Sequence, residues 1–439
     1  MTNKNANKIG YKKTKLGWIP KNWEVVRLKD IVVYSQSGLS RKLSNNDIGL
    51  PVIRSNNIKN NTIDFSEIKY WYKNDPQGAN TQNYVLQNND ILLNFINSLA
   101  QIGKCAIFIN SLNRDTIFTT NIMRLKLNPT KITPYFYILQ TLNERYLYYI
   151  GSIAKPAINQ ASFTSNDYKM YKISLPPITE QEKIAEILSV WDDGIETLEK
   201  LIEQKEISHK ALMKNLLIGK KRFAEFSKNS EYKRTKLGSI PVDWQIKPLK
   251  LLFDKRMQKY SRDTEHNIFT NSATKGVVLQ NEYFDRSIVT EENTSNYYVV
   301  GEDDFMYNPR ISQNAPAGPI NRNKLGITGI ASPLYTIFKA KHDTIVDFYE
   351  QYFISNLWNN SMFMVANQGA RHDRLNITNN DFMNMPLPYP PLKEQEKIAN
   401  VLIESYKEIQ LLNSKLEKLK KQKKGLMQKL LTGQIRVKI

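Results

Sequence analysis

The stretch Pro176-Pro177-Ile178-Thr179-Glu180-Gln181-Glu182-Lys183-Ile184-Ala185 opens a long periodic segment, and it returns as Pro390-Pro391-Leu392-Lys393-Glu394-Gln395-Glu396-Lys397-Ile398-Ala399. The shift between the two copies is 214 positions, from Ala185 to Ala399. Behind each copy, apolar residues recur at alternating spacings of four and three, which is typical of a coiled-coil seam. We therefore predict two long helices, over residues 179–217 and 393–431.

The predicted seam consists of the apolar residues that follow this repeat. They are Ile184, Leu188, Trp191, Ile195, Leu198, Ile202, Leu212 and Leu216 in the first helix, and Ile398, Leu402, Ile409, Leu412, Leu416, Leu419, Leu426 and Leu430 in the second. Ser405 stands at the position of Trp191, and Tyr406 beside it is expected to fill the space. At about 1.5 Å per residue each helix would be about 55 Å long.

The ends of both segments carry helix-terminating signals, with prolines just before the start and Gly219 or Gly433 just beyond the end. Two helices of equal length in one chain can bury their apolar stripes against each other, and we expect an antiparallel coiled coil. The alternative is that each helix is an ordinary amphipathic helix that packs on its own domain. A stripe wide enough for that packing would drift away from a strict heptad repeat over this length.

A second repeated block precedes each variable part of the chain. Residues 11–23 match residues 232–244, with a shift of 221 positions from Trp23 to Trp244. The chain is thus a tandem repeat with expected pseudo-twofold symmetry, and its tail begins like the basic connector. We divide it into an N-terminal block (1–30), a first variable region (31–175), a first helix (176–218), a basic connector with the second block (219–251), a second variable region (252–389), a second helix (390–432) and a tail (433–439).

The two variable regions share only landmarks at the shift of 214, such as Asp90 with Asp304 and Asn94 with Asn308. Short strand patterns separated by Asn, Gly and Ser turns alternate with an aromatic amphipathic stretch, at 135–149 and 348–363, which predicts a helix. The expected fold class is α/β (α+β), with two globular mixed α/β domains and two long antiparallel helices between them.

The composition points to an anionic partner. The 439 residues contain 62 Lys and Arg against 42 Asp and Glu, a net charge of +20, which favours nucleic acid over a membrane surface. No run of apolar residues is long enough to span a membrane and no signal sequence is evident, so we expect a cytoplasmic protein. The single cysteine, Cys105, and four histidines offer neither a disulfide nor a zinc site.

No motif for catalysis is present. The Gly103-Lys104 pair lacks the glycine of a P-loop, because Ser98 stands five positions before Gly103. Asn308-Pro309 continues into Arg310, which breaks the run that an amino-methyltransferase uses, and no dinucleotide-binding glycine pattern follows a strand. We expect no catalytic residue, cofactor site or metal site in this chain, which favours a binding protein.

Polar side chains that differ between the two regions are the candidates for contacts with base edges, since Arg suits guanine while Asn and Gln suit adenine. Positions where the regions agree are expected to support the scaffold. The DNA-binding candidates are Arg54, Ser55, Asn56, Asn159, Gln160 and Ser162 in the first region and Thr270, Asn271, Arg310, Gln313, Arg371, His372, Asp373 and Arg374 in the second.

The Pro-Pro-x-x-Glu-Gln-x-x-Ile-Ala openings, the Lys-Leu-Gly-x-Ile-Pro-x-x-Trp blocks and the tandem layout resemble the DNA specificity subunit of Type I restriction-modification systems over essentially the whole chain. The resemblance implies two target recognition domains, each of which binds one half of an asymmetric bipartite site in double-stranded DNA. It also implies that the helices dock two modification (methyltransferase) subunits and that restriction subunits complete the enzyme. S-adenosylmethionine, ATP and magnesium would belong to those partners.

Three other functions stay open from the sequence. A specificity subunit of a Type IIB-like methylase-nuclease differs from the first interpretation only in its partners. A self-contained enzyme would be active as a single chain, and a coiled-coil scaffold without a DNA function would show no sequence preference and little dependence on salt.

Overall fold

The computed structural model of the protein describes residues 9–227, 231–260, 267–283, 294, 296–366 and 373–439. Its fold is mixed α/β, as the sequence predicts, and the chain divides into two compact units. Unit 1 consists of residues 1–198 and 415–439, and unit 2 consists of residues 199–414. Each unit therefore contains part of each long helix.

The first half of the chain contains sixteen strands and four α-helices. They are β1 (Tyr11–Thr14), β2 (Gly17–Pro20), β3 (Glu24–Arg27), β4 (Val32–Ser37), β5 (Gly49–Ile53), β6 (Ile58–Lys59), β7 (Thr62–Ile63), β8 (Lys69–Tyr72), β9 (Ile91–Asn94), β10 (Ile96–Asn97), β11 (Cys105–Ile107), β12 (Ile117–Phe118), β13 (Ile122–Leu127), α1 (Pro134–Thr141), α2 (Glu144–Ile153), β14 (Lys155–Ala157), β15 (Gln160–Ser162), α3 (Ser165–Lys169), β16 (Lys172–Leu175) and α4 (Ile178–Leu216) among the described residues.

The second half repeats this order with differences. Its described elements are β17 (Tyr232–Thr235), β18 (Gly238–Pro241), β19 (Gln245–Pro248), α5 (Leu249–Leu252), β20 (Phe253–Lys255), β21 (Asn267–Ser272), β22 (Gly276–Leu279), α6 (Gln280–Tyr283), β23 (Tyr298–Val300), β24 (Phe305–Tyr307), β25 (Ile320–Arg322), β26 (Gly329–Ala331), β27 (Thr336–Ala340), α7 (Val346–Ile354), α8 (Asn359–Phe363), α9 (Asn379–Met383), β28 (Pro386–Tyr389) and α10 (Leu392–Leu431).

Each unit is built on a four-stranded antiparallel sheet with the same strand order. The order is β11-β9-β13-β4 in unit 1 and β25-β24-β27-β20 in unit 2. Their apolar faces pack against the aromatic helices α1 and α7, whose residues Phe136 and Phe348 are fully buried. In both units a strand of the N-terminal or second block also pairs with the strand just before a long helix, β3 with β16 and β19 with β28.

The long helices have the predicted bounds to within one residue, and the repeated motif explains how each begins. Glu180 is fully buried and accepts hydrogen bonds from Trp23 Nε1 (2.9 Å) and the Arg436 guanidinium (2.6 and 2.9 Å). The next residue, Gln181, reaches back to the carbonyl of Pro176 (2.9 Å). The Pro-Pro-x-x-Glu-Gln sequence thus fixes the first turn of α4 to the N-terminal block and the tail.

Unit 2 contains the same arrangement at the start of α10. Buried Glu394 accepts hydrogen bonds from Trp244 Nε1 (3.0 Å) and from the Arg222 guanidinium (2.8 Å for both contacts), and Gln395 donates to the carbonyl of Pro390 (2.8 Å). We call the two arrangements the Glu180 cluster (Trp23, Glu180, Arg436) and the Glu394 cluster (Trp244, Glu394, Arg222). The tail therefore supplies the arginine that binds Glu180 in unit 1, and the connector supplies the arginine that binds Glu394 in unit 2, as the repeat predicts.

The helices pair antiparallel inside each unit. In unit 1, Lys423 forms an ion pair with Asp192, and Ile184 and Leu188 share a core with Leu430. In unit 2, Lys205 pairs with Glu408 at 2.7 Å. Residue numbers fall along one helix as they rise along the other, which is the antiparallel order that the sequence predicts.

None of the predicted seam residues is exposed. Toward the outer ends of the helices the apolar stripe is wider than a coiled-coil seam, because Met213, Leu217, Met427 and Leu431 are buried as well. These residues join the hydrophobic cores of units 1 and 2. Each helix thus combines the two interpretations: it pairs with the other helix and also packs on a domain.

His209 is buried between the helices, at a seam position of the heptad pattern that carries a polar residue. Its Nδ1 lies 3.2 Å from Ser405 Oγ, and its ring lies against Tyr406 with 5.9 Å between centroids. Burial lowers the pKa of His209, because the imidazolium is poorly solvated there.

We expect this histidine to make the protein less stable in mild acid. The pKa of His209 is lower in the folded chain than in the unfolded chain, so the unfolded chain binds the proton first. Its contribution is complete above the unfolded pKa of about 6.5 and is lost as the pH falls through the folded value. Unfolding midpoints between pH 5 and 8 should fall less steeply in His209→Gln, and an identical slope in both proteins would contradict the prediction.

Two sequence expectations need correction or refinement. The aromatic stretch 135–149 is not one helix, because α1 ends at Thr141 and the side chain of Asn143 caps α2 by accepting from the Arg145 amide. The stretch 348–363 is likewise divided, between α7 and α8. The shared landmarks do serve the scaffold: Thr164 and Thr378 cap α3 and α9 by accepting from the amides three residues later.

Candidate DNA-recognition surfaces

Both recognition domains use one buried asparagine to fix a loop at the end of their central strand. Asn94, which ends β9, donates through Nδ2 to the carbonyl of Ser55 at 3.3 Å. Asn308, which follows β24, donates in the same way to the carbonyl of Asn271 at 3.1 Å. Ser55 and Asn271 are therefore equivalent positions.

A β-hairpin projects from the first domain next to this loop. Strands β14 and β15 pair through Lys155 with Ser162 and through Ala157 with Gln160, and the tip between them consists of Ile158 and Asn159. Every residue from 155 to 160 is exposed, and the Ile158 side chain is 92% exposed. Such a two-stranded ribbon has the width that the major groove of B-DNA admits.

The hairpin is rigidly anchored at its base. Its strand β15 also pairs with β10, where Ile96 lies opposite Ser162, and Ala161 is fully buried. Asn159 at the tip adopts a φ of 61°, a left-handed conformation that asparagine tolerates well in a two-residue turn. The amide side chains of Asn159 and Gln160 are exposed at the far end of a structured support.

The loop held by Asn94 offers a smaller set of groups. Asn57 is buried and accepts from the Arg54 amide at 2.9 Å, while the Arg54 guanidinium donates to the carbonyl of Glu67 at 2.7 Å. Asn56 is exposed, and Ser55 and Arg54 are half-buried. Asn56 is thus the most accessible side chain of this loop, and Arg54 is partly used to hold the loop in place.

The second domain places two arginines where the first has an isoleucine and a serine. Arg310 and Arg374 lie opposite each other in an antiparallel bridge, in the position that Ile96 and Ser162 occupy in unit 1. Arg310 is exposed, and its backbone amide donates to Asn308 Oδ1 at 3.1 Å. The asparagine that orders the loop therefore also holds the segment that carries Arg310.

Arg374 lines a cavity of about 430 Å³ in unit 2 together with Arg256, Tyr298 and Tyr335. Its side chain is 25% exposed, and Nε lies 3.5 Å from the carboxylate of exposed Asp373. Gln313 is exposed at the tip of the turn from Ser312 to Ala315, next along the chain after Arg310. The second surface is thus richer in guanidinium groups than the first.

Two candidates in the second domain are corrected by their burial. Thr270 and Asn271 are 6% and 3% exposed. The Asn271 amide donates to the carbonyls of Met306 (2.6 Å) and Pro319 (3.1 Å) and accepts from Asn321 (2.7 Å). Both side chains are bonded within the domain, and their burial leaves them inaccessible to a base edge in this structure. Arg371 and His372 lie outside the described residues.

Sequence reasoning passed over two exposed residues of the first surface. Ile158 and Lys155 are on the exposed hairpin, but the search for polar differences passed over both. An apolar side chain can contact the methyl group of thymine, and a lysine can contact a backbone phosphate. The signal that was available was Asn159, because asparagine favours tight hairpin turns.

The described residues were also compared with the requirements of a metal site and of a membrane-spanning helix. They contain no group of three or more His, Cys, Asp and Glu residues placed to hold a metal ion. None of the described helices is both long enough and apolar enough to cross a membrane.

The family model for the type I restriction modification DNA specificity domain matches this chain twice, at residues 20–207 and 241–421. The chain is 31% identical to the putative type I restriction enzyme MjaX specificity subunit of Methanocaldococcus jannaschii, over 98% of this chain and 97% of that protein. It is 28% identical to the MjaVIII specificity subunit of the same organism, over 96% and 94% of the two chains.

Solved structures show the same fold. The type I restriction-modification S subunit from M. genitalium aligns with a TM-score of 0.52 and 14% identity, over 93% of this chain and 96% of that one. A chain from a structure of a type I restriction-modification system aligns with a TM-score of 0.54 and 15% identity, over 95% and 99%. With its two matched copies of the specificity domain, the chain belongs to the family of type I restriction-modification DNA specificity proteins.

Proposed function

We propose that this chain is the DNA specificity subunit of a type I restriction-modification complex, in which each recognition domain binds one half of an asymmetric bipartite site. The observation that carries the proposal is the difference between two surfaces on one scaffold. Asn94 and Asn308 hold equivalent loops, yet an exposed amide-bearing hairpin lies beside the first and paired arginines lie beside the second. Unlike surfaces imply unlike half-sites.

The side-chain chemistry favours different bases in the two domains. Asn159 and Gln160 suit the N6 and N7 edge of adenine, and Ile158 suits the methyl group of thymine. Arg310 and Arg374 suit the O6 and N7 acceptors of guanine. The net charge of +20 adds contacts with phosphates that raise affinity without selecting a sequence.

The long helices provide a surface for partner subunits. Val190, Ile207 and Leu411 are 66%, 62% and 71% exposed on α4 and α10, although leucine, isoleucine and valine are usually buried. We propose that two modification subunits dock on the helices and that restriction subunits join them. S-adenosylmethionine, ATP and magnesium would then bind to those partners, and the complex would act on DNA in the cytoplasm.

A genome-wide map of methylated adenines in strains with and without the gene tests this proposal. We expect one bipartite, non-palindromic motif to lose methylation when the gene is deleted, and plasmid-borne expression to restore it. An unchanged methylation map in the deletion strain, with the partner subunits present, would contradict the proposal.

Arg374→Ala should weaken discrimination at one base pair of the second half-site by about 1 to 3 kcal/mol, because a bidentate contact to a base would be lost. Arg374→Lys should lose most of the same discrimination, since lysine keeps the positive charge but lacks the planar guanidinium that makes two hydrogen bonds to one base. Binding to a panel of single-substituted sites measures both. The first half-site is the internal control, and equal discrimination at every position in all three proteins would contradict the role of Arg374.

A further inference from the structure

Unit 2 contains a second, larger cavity that the recognition surfaces do not use. It is a cleft of about 920 Å³ between the paired helices and the recognition domain. The α4 side contributes Lys210 and Lys214, the α10 side contributes Lys407, and the domain contributes Lys275 in the turn between β21 and β22. We call this cavity the basic cleft.

The positive charge of the basic cleft is balanced only in part, because Lys407 pairs with Glu404 at 2.7 Å whereas the two lysines of α4 do not pair with a carboxylate of the cleft. Among the described residues that line it, the one carboxylate is Glu350, which is already paired with Arg322 (3.2 Å) and Lys324 (2.9 Å). The structure gives no ion pair to Lys210 or Lys214 among the described residues, and both side chains belong to exposed positions of α4. The lowered pKa of His209, which also lines the cleft, shows that burial opposes a further charge there.

The internal repeat shows that this charge is not a requirement of the fold. At the positions in unit 1 equivalent to Tyr406 and Lys407, the chain has Asp192 and Asp193. There Asp192 forms an ion pair with Lys423, and it accepts a hydrogen bond from Tyr135 at 2.7 Å.

The other cations are also balanced in unit 1. Lys424, the equivalent of Lys210, pairs with Glu144 at 3.0 Å, and Gln428 replaces Lys214. The equivalents of Lys210 and Lys214 are therefore paired or replaced in unit 1, whereas these two lysines have no ion pair among the described residues of unit 2. A cleft of about 920 Å³ that is lined by lysines from α4, α10 and the domain is larger than a single small anion requires.

We propose that the basic cleft binds phosphate groups of the DNA backbone, independently of sequence, and thereby adds affinity that only unit 2 supplies. The proposal rests on the proposed function, because it requires that the chain binds duplex DNA. It predicts that the two lysines of α4 contribute to affinity and to its salt dependence but not to the choice of sequence. Each lysine that contacts a phosphate adds about 0.9 to the slope of log K against log salt concentration.

The test compares the wild-type chain, assembled with its modification subunit, with the double variant Lys210→Gln/Lys214→Gln. The control variant is Lys418→Gln/Lys421→Gln, which changes the net charge equally at exposed positions of α10 in unit 1. Binding of a target duplex and a scrambled duplex is measured over a range of salt concentrations. We expect the double variant to lower the slope by about 2 for both duplexes, while the ratio of the binding constants for the target and scrambled duplexes stays unchanged. The control variant should leave the slope unchanged.

Several outcomes would overturn the inference. One is an unchanged slope in the double variant, and another is an equal loss in the control, which would indicate net charge alone. Loss of the modification subunit on purification of the double variant, with unchanged DNA binding, would identify the cleft as a protein interface. Calorimetric binding of inorganic tripolyphosphate that the double variant abolishes, again with unchanged DNA binding, would identify a site for small polyphosphates. Failure of the proposed function is distinct, because the wild-type complex itself would then show no preference for the target duplex.

Discussion

Replacing residues 31–175 by the corresponding domain of another specificity subunit should change one half of the recognised sequence completely and leave the other half unaltered. The reason is that unit 1 and unit 2 each have a sheet, a core and a recognition surface of their own. Adenine methylation mapping of the exchanged protein measures both half-sites at once. Altered bases in both halves would contradict independent recognition.

The structure also provides a matched variant for this exchange. Strand β16 (Lys172–Leu175) lies inside the exchanged segment but pairs with β3 (Glu24–Arg27), which lies outside it. An exchange that keeps the native β16 should give the same new half-site with higher yield of folded protein, because the native ladder and the hydrogen bond from Ser174 to the carbonyl of Leu431 remain intact. A different half-site in the two exchanges would assign base contacts to β16 and contradict our assignment.

Arg222→Ala should destabilise the protein by about 3 to 5 kcal/mol, because it leaves the buried carboxylate of Glu394 without its cation. The Arg222 side chain is 4% exposed and that of Glu394 is fully buried. The hydrogen bonds that Arg222 donates to Glu394 and Asp243 raise the pKa of Arg222, so this cation is charged at every accessible pH. Urea unfolding followed by tryptophan fluorescence measures the loss, with buried Trp244 as a local reporter.

The repeat supplies the matched control. Arg436→Ala removes the same bidentate contact from Glu180, but the Arg436 side chain is 37% exposed, so water can replace part of it. We expect a smaller cost of about 1.5 to 3 kcal/mol, typical of hydrogen bonds to a charged group. The stability of Arg222→Lys should lie between those of wild type and Arg222→Ala, since lysine keeps the positive charge but lacks the planar guanidinium that binds both carboxylate oxygens. Equal costs at the two arginines would show that burial does not set the strength of these clusters.

The sequence predicts the helical framework well because that framework depends on short-range patterns. The heptad spacing and the positions of Gly219 and Gly433 define α4 and α10, and both glycines adopt the left-handed φ (69° and 66°) expected beyond a helix end. Exact repetition of the motif also predicts that the tail replaces the connector, as Tyr11 and Tyr232 show by donating to the carbonyls of Gly433 and Gly219.

The recognition surfaces were predicted less well, because accessibility depends on tertiary packing. Asn271 has the residue type of a base-contacting side chain, yet the carbonyls of Met306 and Pro319 surround its amide. Ile158 has the residue type of a core side chain, yet it lies at the tip of a projecting hairpin. Neither fact is visible in local composition, since each depends on which strands pair across tens of residues.

The division of the chain into units also constrains the order of events during protein synthesis. Unit 2 is one continuous segment, residues 199–414, whereas unit 1 needs residues 415–439 in addition to residues 1–198. Until the last of these leave the ribosome, the first domain lacks Leu430 and Leu431 in its core and Glu180 lacks Arg436. The domain translated first is therefore the one completed last, and the nascent chain must carry an unfinished N-terminal domain through the translation of the rest.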